Sequence, residues 1–181
     1  MRAEVAHRRK ELIFDDETKI HITQVARWLI DTGGKPGLML MGLCGNGKTT
    51  MMRSLARLIE YVTETTVGYS KRTVMPMYSA KEIARMCAAA DKERKDFKEL
   101  FTLEMLGIDD LGEEPKEVMS YGMIYTPLID LICERYNRQL VTIITTNLTN
   151  KQLSEKYGVR VEDRFKEWLT IITFTNPSYR K

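Results

Sequence analysis

Apolar residues fall along this chain in two patterns. Some form short runs with no polar alternation: Gly37–Met41 (GLMLM), Val74–Tyr78, Glu104–Ile108, Val141–Thr145 and Leu169–Phe174 (LTIITF). A short run that is apolar throughout suits a strand covered on both faces, as in a parallel sheet. Elsewhere the apolar positions recur every three or four residues. This periodicity predicts helices at about Thr49–Tyr61, Ala80–Ala90, Tyr121–Asn137 and Asn150–Tyr157. Ahead of the first run, residues 1–14 predict an amphipathic helix. Thr23–Ile30 predicts a second, with Val25, Trp28 and Leu29 on one face, ended by the breaker cluster Asp31–Pro36 (DTGGKP). Asp91–Glu99 (DKERKDFKE) carries dense charge of both signs and predicts a solvated helical face. Strands alternating with helices give an α/β class, a layered fold around a five-stranded, mainly parallel sheet. Residues 1–35 are expected as a helical segment and 36–181 as the core.

Composition narrows this picture. The 181 residues include 28 Lys+Arg and 25 Asp+Glu, a net charge of +3, with 43% hydrophobic and 29% charged residues. That is the balance of one folded domain, not of a disordered chain. The three Cys, at 44, 87 and 133, make no paired disulfide framework and show no metal-ligand spacing, which points to a reducing, cytoplasmic compartment. Met1 to Lys10 is charged and lacks the apolar core of a signal peptide, and no apolar run approaches the ~20 residues of a membrane span. Secreted scaffolds, membrane proteins and strongly basic nucleic-acid proteins are therefore disfavoured as classes, and no membrane partner is expected. The basic cluster His7, Arg8, Arg9 and Lys10 reads as a solvated helix face or as a phosphate or partner contact. A charge of +3 is too small for one subunit to hold DNA tightly, because phosphate contacts supply affinity through released counterions. Work on DNA would need an oligomer or a partner.

The chemistry is densest after the first run. Gly42-Leu43-Cys44-Gly45-Asn46-Gly47-Lys48-Thr49 fits G-x-x-x-x-G-K-[ST] at every defined position, with an apolar strand before it and a helix after it. At a Gly frequency near 7%, a chance match in this length is on the order of one in a hundred. The glycines open backbone conformations closed to other residues, so that consecutive N–H groups can face phosphates. The following helix adds its positive dipole end. The loop and Thr50 are the expected nucleotide contacts. Lys48 would reach the β- and γ-phosphates, and the Thr49 hydroxyl would coordinate Mg²⁺. Cys44 reads as a small filler within the loop, with redox sensitivity as the alternative. Leu103–Gly112 (LEMLGIDDLG) places two carboxylates at the end of an apolar run. Asp109 is expected to hold Mg²⁺, directly or through water, and Asp110 to orient or deprotonate the attacking water. Glu113 and Glu114 read as surface charges, with a share in the base role as the alternative.

Together these motifs resemble the AAA+ ATPases of the DnaC/IstB type, which are helicase loaders and transposition helper ATPases. The resemblance rests on GLCGNGKT, on IDDLGEE, on CERYNRQLVTIITTNL at 133–148, on YGVRVEDRF at 157–165 and on the closing NPSYR. It spans roughly Phe14 to Arg180. The fold it implies is a three-layer P-loop NTPase, the AAA+ core. The cofactors it implies are ATP and Mg²⁺, and the activity is ATP hydrolysis serving DNA replication or transposition. The implied partners are single-stranded DNA and a replicative helicase or transposase, with homo-oligomeric assembly. Asn147 matches sensor 1, where a neutral amide can hold the attacking water and touch the γ-phosphate. Arg164 matches the arginine finger acting on a neighbouring subunit's ATP. Arg160, one turn earlier, is its possible assistant, and a surface pair of Arg164 with Glu162 or Asp163 is the alternative. Arg180 is a further candidate contact. Gly68–Thr73 (GYSKRT) reads as a solvated hairpin, or as a place where Tyr69, Lys71 and Arg72 meet single-stranded DNA.

The departures from that family are also informative. About 35 residues precede the first strand, with no Cys among them, and little follows Phe174. A recruiting domain is therefore not expected, and the helical lid is expected to be absent or vestigial. Two other functions fit parts of the pattern: a small P-loop kinase, and a nucleotide-binding module with little turnover.

Overall fold

β1 (Gly37–Gly42) lies within the sheet, and its side chains explain its sequence. Leu38 and Leu40 pack into one apolar layer and Met39 and Met41 into the other, and all four are buried. With both faces covered, no polar position is tolerated. β6 (Val141–Thr146) and β7 (Leu169–Phe174) flank β1, and β3 (Met105–Leu111) and β2 (Met77–Ser79) continue the sheet beyond β6. The order is β2-β3-β6-β1-β7 and every pairing is parallel. All five strands therefore end at one edge. This computed structural model describes every residue except Arg8, Lys10, 68–73, Ala90, Arg180 and Lys181, and leaves the side chains of 65–67 and Asp91 undescribed. The expected contacts of Arg8, Lys10, Tyr69, Lys71, Arg72 and Arg180 lie outside the described residues.

Helices form the two outer layers. α2 (Asp16–Ile30) and α3 (Lys48–Val67) cover the face of Leu38 and Leu40 through Val25, Met51, Met52, Leu55 and Ile59. α4 (Ala80–Ala88), α5 (Asp91–Glu99), α6 (Pro127–Asn137), α7 (Asn150–Tyr157) and α8 (Val159–Trp168) contribute to the other face. α4 and α7 start with capping boxes, Ser79 with Glu82 and Thr149 with Gln152, which satisfy their first amide groups. The expected three-layer α/β fold with a five-stranded parallel sheet is the one observed. Among the described residues no helix follows β7, and none is long and apolar enough to cross a membrane.

Several boundaries differ from expectation, each for a local reason. The helix expected over 1–14 is described as α1 (Arg2–His7), and Arg9 at φ 56 stands in the left-handed region just beyond it; α2, capped by Asp15 accepting from the Thr18 amide at 2.8 Å, starts well before Thr23. The strand expected from Val74 starts at Met77, after Pro76, which has no N–H to give. The helix expected from Tyr121 starts at Pro127, a favoured first helical position. Before it stands a hairpin of β4 (Val118–Ser120) and β5 (Met123–Tyr125). Its turn, Tyr121 at φ 50 and Gly122 at φ 76, has the doubly positive φ of a twist-matched hairpin. α5 is not solvated all round. Phe97 is buried, and the Arg94 guanidinium donates to the Ser120 and Tyr125 hydroxyls at 3.3 and 3.0 Å, tying the hairpin to the helix.

One buried cation holds the far end of the sheet. Arg135 is fully buried on α6. Its guanidinium donates to the carbonyls of Leu100, Leu103 and Val141 at 2.7–2.8 Å and to the Thr142 hydroxyl at 2.8 Å. Burial pulls its pKa down to about 10, which leaves it charged at neutral pH.

Candidate functional site

The sharp turn out of β1 uses three glycines with positive φ: Gly42 (148°), Gly45 (84°) and Gly47 (98°). At Gly42 a side chain would also collide with the Phe174 carbonyl, so the loop can lie against β7 only with glycine there. α3 starts at Lys48, which puts its unpaired amides and positive dipole end at the rim of the loop. The Lys48 ammonium is held inside the loop. It donates to the Gly42 and Leu43 carbonyls at 2.7 Å each and to the Asn46 and Asn147 amide oxygens at 3.0 Å each. Asn46 is buried, and its Nδ2 donates to the Phe174 carbonyl at 3.1 Å.

The acidic pair does not come from a strand adjacent to β1. β6 lies between them, and it also carries Asn147 at its end. Asp109 still reaches the loop helix: the Thr49 hydroxyl donates to its Oδ1 at 2.9 Å. Asp110 lines the same cavity as Lys48, Thr49, Thr50 and Asn147, and its backbone is in the left-handed region, φ 53. A non-glycine residue held there costs free energy that its surroundings must supply. The cavity, about 250 Å³, is lined by Cys44 to Thr50 and also by Met1, Val5, Glu11, Leu12, Ile13 and Tyr179. The segment after β7 closes over the loop. The Asn176 side chain donates to the Asn46 carbonyl at 3.1 Å, and the Tyr179 amide to the Gly45 carbonyl at 2.9 Å.

Among the described residues no group of three or more His, Cys, Asp or Glu could hold a metal ion. The adjacent Thr49 hydroxyl and Asp109 carboxylate do fit Mg²⁺, which takes one or two protein oxygens and completes its shell with phosphate and water. The amide-rich loop with its lysine fits a polyphosphate.

Glu114 corrects an expectation. It is a buried carboxylate rather than a surface charge, accepting from the Gly112 amide at 2.8 Å and from the Tyr157 hydroxyl, with Lys156 at 3.5 Å. Burial, then the bond to Glu114, raises the Tyr157 pKa. Glu114 thus ties the turn after Asp110 to α7, while Glu113 is exposed beside Lys81 at 3.1 Å. Arg164 is not among the residues that line the cavity. Its guanidinium lies over the Tyr136 ring at 5.1 Å, and Glu162 and Asp163 pair with Lys166 instead. Arg160 is exposed. The apolar side chains Met1, Val5, Leu12 and Ile13 in the cavity lining carry no motif signal, and although Thr145 stands in the segment 133–148, nothing in that segment singles out its hydroxyl. Only the resemblance in NPSYR drew attention to the tail that includes Tyr179.

A glycine loop at the end of a central parallel strand, with an amide side chain at the end of the adjacent strand and acidic ones at the end of the strand beyond it, gives the three-layer P-loop NTPase fold of AAA+ cores. Solved structures agree on that fold. The DnaC helicase loader is 21% identical, matched over 89% of this chain and 92% of its own, with a TM-score of 0.65. DnaI is 18% identical over 91% of this chain and 88% of its own, TM-score 0.67. Replication initiator DnaA, bound to AMPPCP and single-stranded DNA, is 15% identical over 92% of this chain and 49% of its own, TM-score 0.62. No family model and no curated protein matches the sequence.

Proposed function

We propose that this chain is a replication-type AAA+ ATPase that binds and hydrolyses ATP with Mg²⁺. It works in an assembled oligomer on single-stranded DNA, with a replicative helicase or transposase as its protein partner. One observation supports the reading above the others: Lys48, Thr49, Asp110 and Asn147, from three separate elements, border one cavity, with Asp109 bonded to Thr49. The likeness to the DnaC helicase loader, DnaI and DnaA supports the replication setting.

The residues take their roles from their positions. The loop amides from Gly42 to Thr50 and the Lys48 ammonium would cradle the phosphates, with Lys48 exchanging carbonyl partners for phosphate oxygens. Thr49 and Asp109 would hold Mg²⁺, which when bound neutralises phosphate charge. Asp110 would orient the attacking water and take its proton, and the Asn147 amide would hold the same water. Arg164 of the neighbouring subunit would stabilise the transition-state charge.

The test is phosphate release from ATP and Mg²⁺, with and without single-stranded DNA, with Lys48→Ala as the control. Release should be slow for the protein alone, faster on DNA, and absent in the variant. Fast transfer to a small-molecule acceptor would instead make the protein a kinase. Tight ATP binding without release would make it a non-hydrolysing module.

A further inference from the structure

We infer that Thr145 is a positioning residue, whose buried hydroxyl sets both Asp109 and Asp110 toward the nucleotide cavity. The inference rests on the ATPase reading of that cavity. Ile108 pairs with Ile144 and Leu111 with Thr146, so Asp109 and Asp110 on β3 stand opposite the single residue Thr145 on β6. This is a β-bulge, two residues against one. In an unbroken strand, adjacent side chains point to opposite faces of the sheet, and one of the two carboxylates would be lost to the far layer. The bulge, with Asp110 at φ 53, turns both toward the end of α3: Asp109 meets Thr49, and Asp110 lines the cavity.

A bulge leaves a backbone amide without its ladder partner, and here the Thr145 side chain takes that place. Its Oγ1 accepts from the Asp110 amide at 2.9 Å and donates to Asp109 Oδ1 at 2.6 Å. One hydroxyl supplies one donor and two acceptor sites, so both bonds are compatible. Thr145 is fully buried, so water cannot replace it. Because Thr49 donates to the same Asp109 oxygen, two fixed donors hold that carboxylate beside the Thr49 hydroxyl, the pair that would hold Mg²⁺. Thr145 itself does not line the cavity. It acts through the two acids.

Thr145→Val keeps the shape and removes the hydroxyl, whereas Thr145→Ser keeps the hydroxyl. Two readouts are taken on each, beside the wild type. The first is the gain in affinity for a fluorescent ATP analogue when Mg²⁺ is added. The second is kcat and KM for phosphate release. Loss of a partner that orients a metal ligand costs about 10- to 100-fold in metal affinity or activity. The valine variant should lose that much of the Mg²⁺-dependent gain and of kcat. Its affinity for the metal-free nucleotide should be unchanged, and serine should restore both. A valine variant that matches the wild type in both readouts overturns the inference. A thermal melt separates the remaining case: a valine variant that also loses metal-free binding and melts early shows a merely structural residue, and that too overturns it. If the wild type binds the analogue but releases no phosphate, the hydrolytic reading fails while the Mg²⁺ readout still decides the role of Thr145. If it binds no nucleotide at all, the reading and the inference fall together.

Discussion

Arg135 shows at the scale of one residue what the sheet needs away from the cavity. The carbonyls of Leu100 and Leu103, in the connection from α5 to β3, and of Val141, at the start of β6, converge on one planar cation with five donors, which satisfies them together with Thr142. Arg135→Leu removes the charge but takes the donor from all four acceptors, of which the Leu100 carbonyl and the Thr142 hydroxyl are buried. The expected loss is about 3–5 kcal/mol, or a melting temperature lower by about 10 °C, read by thermal unfolding. The pKa of Arg135 falls from its ordinary value to about 10 on folding, because burial disfavours the charge, so the unfolded state holds the proton more tightly. Stability then rises with pH only between those two values, and near neutrality this residue adds no pH dependence. Nothing in the sequence around Arg135 announces its burial. A lone arginine on a helix ordinarily lies at the surface, and only packing of α6 against β6 puts it inside.

At the scale of elements, the start of α2 and the chain's last segment support each other. Asp15 caps α2 through the Thr18 amide and also accepts from the Tyr179 hydroxyl, at 2.8 Å to one oxygen and 3.0 Å to the other. The Thr18 amide is the first cause of its lowered pKa. A lowered carboxylate pKa adds stability that is complete above the ordinary value of 3.8 and is lost as pH falls through the folded value. Asp15→Ala should cost about 1 kcal/mol at pH 7 by loss of the cap, and the gap from the wild type should narrow in strong acid. Denaturant titrations at pH 7 and pH 3 measure both. The strand elements were legible as short runs without polar alternation, as in Leu169–Phe174, whose limits match expectation. The β4–β5 hairpin was not, because its apolar positions, among them Met119, Met123 and Ile124, are exposed and imitate a buried helix pattern. Pro127 and the Tyr121–Gly122 turn were the signals that separate the two readings.

At the scale of the whole molecule, Cys44 to Thr50, Asp110 and Asn147 line the cavity, and among the described residues no arginine does. Arg164 stands outside it on α8, over Tyr136. If Arg164 acts across a subunit boundary, Arg164→Ala should lose on the order of 10³-fold in turnover on single-stranded DNA while its ATP affinity holds. The decisive arm mixes it with Lys48→Ala. Each is inactive alone, but mixed assemblies pair an intact loop with an intact arginine, so activity should return. No recovery on mixing would place the arginine's role within its own subunit or nowhere.

The sequence by itself determined the alternation of strands and helices, the phosphate loop and the acidic strand end. These rest on local rules: uninterrupted apolar runs for strands with both faces covered, and glycines where the backbone needs positive φ. Tertiary structure decided what those parts do to one another. It inserted β6 between β1 and β3, so Asp109 meets Thr49 across an intervening strand. It buried Glu114 and Arg135, and it brought the segment after β7 over the loop. Above all it set Asp109 and Asp110 opposite Thr145. The strand period alone would have sent the two carboxylates to opposite faces, and only a register shift between paired strands, which no single segment encodes, turns them to the same side.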